Sequence, residues 1–179
     1  LYDIKIEDDK TSKEFIKNNG GFLGEIYISN TKIRKIDISK CESLRCISIM
    51  DTNDLEECNF TDIKKLRCVV ISSGENLAKF TMNNVQGQRK IEVRNNKKIK
   101  ELNLGNMPEL EMFKWTNGVL EKMRVENAEK LSTIDLSKNK LKSFQYPQLK
   151  NLIEIMIGDN EIQGEFNWNQ HPKLRVLEC

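Results

Sequence analysis

The chain has 179 residues, of which 38% are hydrophobic and 31% charged, enough for one domain with an ordinary soluble balance. Its 29 basic and 27 acidic residues are interspersed and leave a net charge of +2, so no basic face for nucleic acid or anionic lipid is implied. No apolar run approaches the roughly 18 residues of a membrane span, no secretion signal opens the chain, and no Ser-, Gly- or Pro-rich stretch marks a linker.

The chain starts at Leu1 without an initiator Met and ends at Cys179 inside patterned sequence, so it reads as a piece of something longer, and further repeats or a capping domain are expected at the C-terminus. Residues 1–22 form an atypical first coil: Ser12 stands where Leu is expected, although Phe15 and Leu23 fit the frame described below. "TSKEFIKNNGG" suits a short helix, with Thr11 or Ser12 as cap and Gly20 or Gly21 as stop, and the helix is the preferred reading.

From there the chain repeats. In "LSTIDLSKNKL", apolar residues fill the first, fourth and sixth places, and the fourth is Ile134. The same place is taken by Ile4, Ile26, Ile47, Val69, Ile91, Phe113, Ile155 and Leu177, in steps of 21 or 22 residues. Two places after each anchor stands another apolar residue or Cys, from Ile6 through Trp115 to Cys179. Alternation of this kind is a strand signal, and self-similarity at a fixed period outranks any local reading.

A second period-2 pair sits halfway round each repeat: Ile36 and Ile38, Cys58 and Phe60, Phe80 and Met82, Leu102 and Leu104, Met123 and Val125, Phe144 and Tyr146, Phe166 and Trp168. These predict a second strand per coil. From each second anchor the next repeat's first apolar residue follows eight places later, whereas Ile134 reaches Leu141 in seven places and Val69 reaches Leu77 in eight. Length variation is thus confined to one turn. In the last full coil the interval from Ile162 to Phe166 is one residue longer than elsewhere, with Gly164 in the gap, which predicts a Gly-centred bulge. Gln88 occupies a Leu slot, so irregularity is expected around it.

With this frame, clearest in "LSTIDLSKNKL" and "LIEIMIGDNEI", the sequence resembles the leucine-rich repeat family over its full length. The spacing, with two strand-like pairs and no intervening helix, looks most like the surface leucine-rich repeat proteins of Bacteroidetes. The ladder position holds Asn96, Asn139 and Asn160, but elsewhere Asp9, Thr31, Thr52, Gly74 and Gly118. Asn suits that place because its side chain bonds the backbone of adjacent turns. The fold expected is therefore mostly β: a leucine-rich repeat solenoid of about 8 coils, parallel sheets on two faces, and a single domain over 1–179 with regular repeats from residue 23. The resemblance implies a non-enzymatic binding scaffold, extracellular or at the cell surface, with no catalytic residue, cofactor or metal to transfer.

Side chains alternate along a strand, so the residues flanking the first-strand anchors face outward. Tyr27, Cys46, Met50, Cys68 and Val70 would form an exposed apolar patch, a feature that often marks a partner surface. Beside it, Glu92, Arg94, Lys114 and Asp135 alternate in sign with Lys90 across neighbouring strands, which suits cross-strand pairing, and Met156 continues the outward column. This first-strand sheet is the candidate ligand-binding site, for a protein or alternatively a glycan.

Five Cys, at 41, 46, 58, 68 and 179, show no CxxC and lie near no His, which argues against zinc. Cys41, Cys58 and Cys179 read as core, while Cys46 and Cys68 read as outward neighbours and as free thiols, which favours a reducing compartment and conflicts with a surface location. His171 in "NQHPKL" reads as a loop residue, Trp115 and Trp168 as core, and Asn59 in "NFT" as a glycosylation triplet of low specificity. A structural spacer or an intracellular adaptor is the alternative function. The enzymatic rival, a β-helix acting on polysaccharide, would draw on Asp135 with Glu154 or Glu92 with Lys114.

Overall fold

The computed structural model describes residues 24–179, apart from Lys40, Ser73, Gln145, Pro147 and Gln148. The anchor at Ile4, the ladder residue Asp9 and the helix expected over 11–21 lie outside the described residues. Within them the chain is a parallel β-solenoid of about seven turns. One sheet runs through every coil: β1 (Glu25–Ser29), β3 (Cys46–Met50), β5 (Cys68–Ile71), β7 (Lys90–Arg94), β9 (Met112–Thr116), β11 (Thr133–Asp135), β12 (Glu154–Met156) and β13 (Val176–Glu178), in that spatial order. All its pairs are parallel, and the register sets anchor against anchor, Ile26 on Ile47, Ile47 on Val69, and so on to Ile155 on Leu177.

The period-2 pattern explains the core. Ile26, Ile47, Val69, Ile91, Phe113, Ile134 and Ile155 are fully buried, as are Ile49, Ile71, Val93, Trp115 and Leu136 two places on. Each such aliphatic burial contributes roughly 1.5–3 kcal/mol, and a slip of one residue would turn the whole stripe outward. The turn leading into most of the first strands has the same hydrogen bond, from Leu44 N to Cys41 O (3.0 Å), Leu110 N to Met107 O (3.1 Å) and Leu152 N to Leu149 O (3.4 Å) among others. That closed turn is why the eight-residue interval never varies.

The second strands form β2 (Lys35–Asp37), β4 (Glu57–Asn59) and β6 (Lys79–Thr81) in one sheet, and β8 (Glu101–Asn106) with β10 (Lys122–Glu126) in another. Amide-to-carbonyl bonds run from Glu56 to Arg34 (2.7 Å) and from Ala78 to Glu56 (2.9 Å), then resume only at Glu121 to Lys100 (2.7 Å). The irregularity expected near Gln88 is therefore a break in the second sheet, while the first passes through intact. Gln88 is fully buried, and its side-chain amide donates to the carbonyls of Arg67 (3.2 Å) and Lys90. Trp115, in a slot that elsewhere holds Ile, Val, Leu or Cys, reaches over the intervening coil to Phe80, with ring centroids 5.5 Å apart in edge contact. The oversized ring lies across the coil step where the second sheet parts.

Two expectations are corrected here. Phe144 with Tyr146, and Phe166 with Trp168, do not lie on strands; Trp168–Gln170 is a short 3-10 turn. Phe144 and Tyr146 keep their inward orientation, and the Tyr146 hydroxyl donates to Met123 O (3.0 Å), capping a β10 carbonyl that no further strand covers. The longer interval before Phe166 is taken up at Gly164, with φ of 95°, in non-strand chain rather than in a sheet bulge.

His171 lies in a loop, as expected, between the 3-10 turn and β13, but its side chain belongs to the core. It is 3% exposed, its Nδ1–H donates to Leu149 O (3.2 Å), and its ring packs on Phe166 and Phe144 at centroid distances of 5.5 and 5.9 Å. It follows Leu149 by 22 residues, in the inward column of Cys41, Ile63, Val85, Met107, Ala128 and Leu149, so it is the seventh member of a core stripe. Its carbonyl closes the same turn, accepting from Leu174 N (3.1 Å).

Candidate functional site

The first sheet is held square by its ladder. Asn139 donates to Leu136 O (3.0 Å) and Ser137 O (3.2 Å) in its own coil and to Trp115 O in the one before, while its Oδ1 accepts from Leu120 N (3.1 Å). Asn160 repeats the pattern with Ile157 O (2.8 Å), Leu136 O (2.9 Å) and Leu141 N (3.0 Å). Asn96 donates to Gly74 O (2.9 Å) and Leu77 O (2.7 Å) and accepts from Ile99 N (2.8 Å). The amides of Ile99, Leu120 and Leu141 have their partner in this ladder, and a buried N–H left without one would cost about 1–3 kcal/mol.

Gly118 is part of this design. A Cβ there would sit 2.7 Å from both Asn139 Oδ1 and Asn96 O, so the ladder closes only over a residue without a side chain. Thr52 substitutes in part, its hydroxyl donating to Met50 O (2.8 Å), whereas the Thr31 hydroxyl oxygen is buried without a partner among the described residues.

One place earlier runs a second column. Asn30, Asp51, Asn95, Asn117, Lys138 and Asp159 all take left-handed backbone, with φ between 49° and 61°. Asn and Asp tolerate this conformation better than other side chains. The column also stitches coils together, since Asn117 donates to Asn95 Oδ1 (2.6 Å) and Asn95 to Ser72 O (3.0 Å). The first strands end here.

Between these turns the outward residues stand in register. Tyr27, Ser48, Val70, Glu92, Lys114, Asp135 and Met156 form one row, and Cys46, Cys68, Lys90 and Met112 another. Tyr27 and Met50 are 41% and 45% exposed, and Cys46, Cys68 and Val70 are half-buried between them. The sequence thus places all five apolar candidates on one end of one face. Ser48, in their midst, is buried to 7%.

The charged group is organised differently from expectation. Glu92 is paired along its own strand, with Lys90 Nζ at 2.9 Å and Arg94 Nε at 2.8 Å, rather than across to the neighbouring strands. Asp135 likewise turns to its own strand end, accepting from Ser137 N (3.1 Å) and Oγ (2.7 Å). Lys114, in register with both Glu92 and Asp135, forms no ion pair among the described residues. Burial alone would raise the Glu92 pKa, but hydrogen bonds and charge from Lys90 and Arg94 outweigh it and hold the carboxyl below its ordinary range.

Cross-strand ion pairs lie instead on the second face. Glu57 joins Lys79 (2.6 Å) and Lys35 (3.2 Å) across β2, β4 and β6, and Glu101 joins Lys122 (3.1 Å). Hydrogen bonding from Lys79 and then Lys35 lowers the Glu57 pKa. Asn59 closes β4 with its Oδ1 accepting from Thr61 Oγ1 (2.6 Å), an internal use for the side chain of the "NFT" triplet.

All five cysteines are free. Cys41 and Cys58 are buried as expected, whereas Cys179 is exposed rather than core. Among the described residues no group of three or more His, Cys, Asp or Glu side chains is placed to hold a metal ion, and no helix is long and apolar enough to cross a membrane.

No family model and no curated protein matches the chain. Among solved structures it is similar to a leucine-rich repeat protein of Leptospira interrogans, at 17% identity and a TM-score of 0.42, over 98% of this chain. The chain spans 59% of the length of that protein. The repeat frame, the parallel registers and the Asn ladder described above are this chain's own, and they make its fold a leucine-rich-repeat-like solenoid.

Proposed function

We propose that the chain is a non-enzymatic recognition module that binds a protein partner on the first sheet, at the end marked by Tyr27, Cys46, Met50, Cys68 and Val70, with Glu92, Arg94, Lys114, Asp135 and Met156 extending the contact surface. The observation that carries this reading is the asymmetry of the two faces. Apolar side chains and an unpaired lysine are offered on a continuous, ladder-braced sheet, whereas the second face spends its charges on ties between neighbouring coils. A glycan is the alternative ligand. Membership in a surface or secreted protein belongs to the same proposal, on the resemblance to surface leucine-rich repeat proteins, as does a single domain spanning the chain.

Glu92 speaks against a catalytic role. A general acid needs a raised pKa, and this carboxyl is held low by two cations.

Peptide-display and glycan panels selected against the native protein test the reading. Ligands should lose at least about tenfold in affinity, worth roughly 1.4 kcal/mol, for a Met50→Glu, Val70→Glu double variant. They should be indifferent to Glu57→Lys on the second face. Ligands that ignore the first variant and respond to the second would place recognition on the other sheet.

A further inference from the structure

Cys46 and Cys68 stand directly opposite each other on β3 and β5, both half-buried and both free. We propose that they are a redox-active dithiol, which takes up a small disulfide by exchange and closes into a labile cross-strand bond between adjacent coils. This goes beyond the binding role and does not depend on it.

Three observations converge. The two residues share one register step of a parallel sheet, where neighbouring chains run about 4.8 Å apart, inside the roughly 4.4–6.8 Å between Cα atoms that a disulfide spans. Both side chains are outward members of one row, so the two thiols stand side by side on the same face. The pair is also set apart chemically from the others. Cys41 and Cys58 are buried in the core, and Cys179 lies at the end of the far edge strand, with five strands of the first sheet between β13 and β3.

Roles within the pair follow from its surroundings. Burial, then the hydrogen bond and charge of Cys68, then Glu25 beside it in the row push the Cys46 thiol up to about 12, so it holds its proton. Cys68 has Lys90 as its next neighbour in the row and is the attacking sulfur. Its thiolate attacks one sulfur of a small dialkyl disulfide such as oxidised glutathione, and one small thiolate leaves. Cys46 then gives up its proton and attacks the Cys68 sulfur, which breaks the mixed disulfide and expels the second glutathione thiolate to take up that proton. Two protein thiols and one small disulfide become one protein disulfide and two small thiols; the electron pair and both protons end on the leaving thiols. Side chains in direct parallel register stand a little wider than a relaxed bridge prefers, so the bond carries strain, and strained, accessible disulfides are the readily reduced ones.

The test uses Cys179→Ser protein, which removes the exposed thiol that would link molecules, with native protein alongside. Each is equilibrated over a series of oxidised-to-reduced glutathione ratios, trapped by alkylation and mapped by mass spectrometry. The expected result is an intramolecular crosslink between the peptides of Cys46 and Cys68, with Cys41 and Cys58 still alkylated only after denaturation, and full reversal by excess reduced glutathione. Two glutathione adducts on one molecule would show that the sulfurs do not meet. A pair that stays reduced where a control peptide dithiol is fully oxidised, or a bond that survives excess reduced glutathione, would equally overturn the proposal.

Discussion

The two sheets of this solenoid come from the same alternating pattern, yet one is continuous over eight strands and the other is split into three and two. The difference lies in what surrounds the strands. Beside the first strands run left-handed turns, most of them at Asn or Asp, and a ladder in which the side-chain amides of Asn96, Asn139 and Asn160 tie coil to coil, so even a Gln in a Leu slot leaves the sheet unbroken. The second strands also run into left-handed turns, at Asp62, Asn84 and Asn127, but among the described residues they have no buried amide ladder. They rely on backbone pairing and exposed ion pairs, which contribute little individually, and an aromatic ring two coils away coincides with the point where they separate. Regular hydrophobic spacing makes strands, but buried polar ladders make a sheet uniform.

The largest test of that contrast is Asn139→Ala. It strips the Trp115, Leu136 and Ser137 carbonyls and the Leu120 amide of one shared partner, and should cost about 2–4 kcal/mol in urea unfolding. Trp115→Leu should cost about 2–3 kcal/mol of burial, yet let the second sheet join. Amide exchange around Met82 and Asn103 should slow relative to the rest, and unchanged exchange there would clear the ring of responsibility for the break. Gly118→Ala should cost about 1–3 kcal/mol, because the added methyl meets Asn139 and Asn96 rather than space.

Two smaller variants sharpen the comparison. Glu92→Gln should lose about 1 kcal/mol at pH 7, discounted because Lys90 and Arg94 are partly solvated. A carboxyl held below its unfolded pKa stabilises the fold above the unfolded value of about 4.3 and loses that contribution as pH falls through the folded value, so wild type and variant should converge in acid. Lys138→Asn should stabilise by several tenths of a kcal/mol up to about 1, since among the described residues of its column Lys138 is the one that is neither Asn nor Asp at positive φ. Thermal unfolding is sensitive enough to register it.

Most of the architecture was legible because a solenoid writes its register into its spacing: from Ile26 on, the anchors, their inward partners as far as Ile157 and the outward rows of candidate residues stand where the frame puts them, and Cys179 alone among the described inward partners is exposed. What escaped was of two kinds. His171 and the left-handed Asn and Asp column were present at the same 21- or 22-residue step, but a lone histidine and a set of polar turn residues do not announce themselves as structural when apolar residues are being counted. The pairing of Glu92 along its strand was not legible at all, because which neighbour a long side chain meets is decided by rotamers and local burial, both invisible in spacing. The loss of strand at Phe144 and Phe166 belongs with it: alternation says which way side chains point, not whether a neighbouring backbone is there to pair.

The split between β6 and β8 also divides the chain mechanically. In a linear array each coil is coupled only to its neighbours, and at this junction, between two paired stretches of the second face, the coupling rests on the first sheet and the core without a second set of strand bonds. Stretched from its ends, such an array gives way first at its weakest link. A single-molecule pulling trace should show an early step of fixed length at this seam, with the segments on either side holding to higher force.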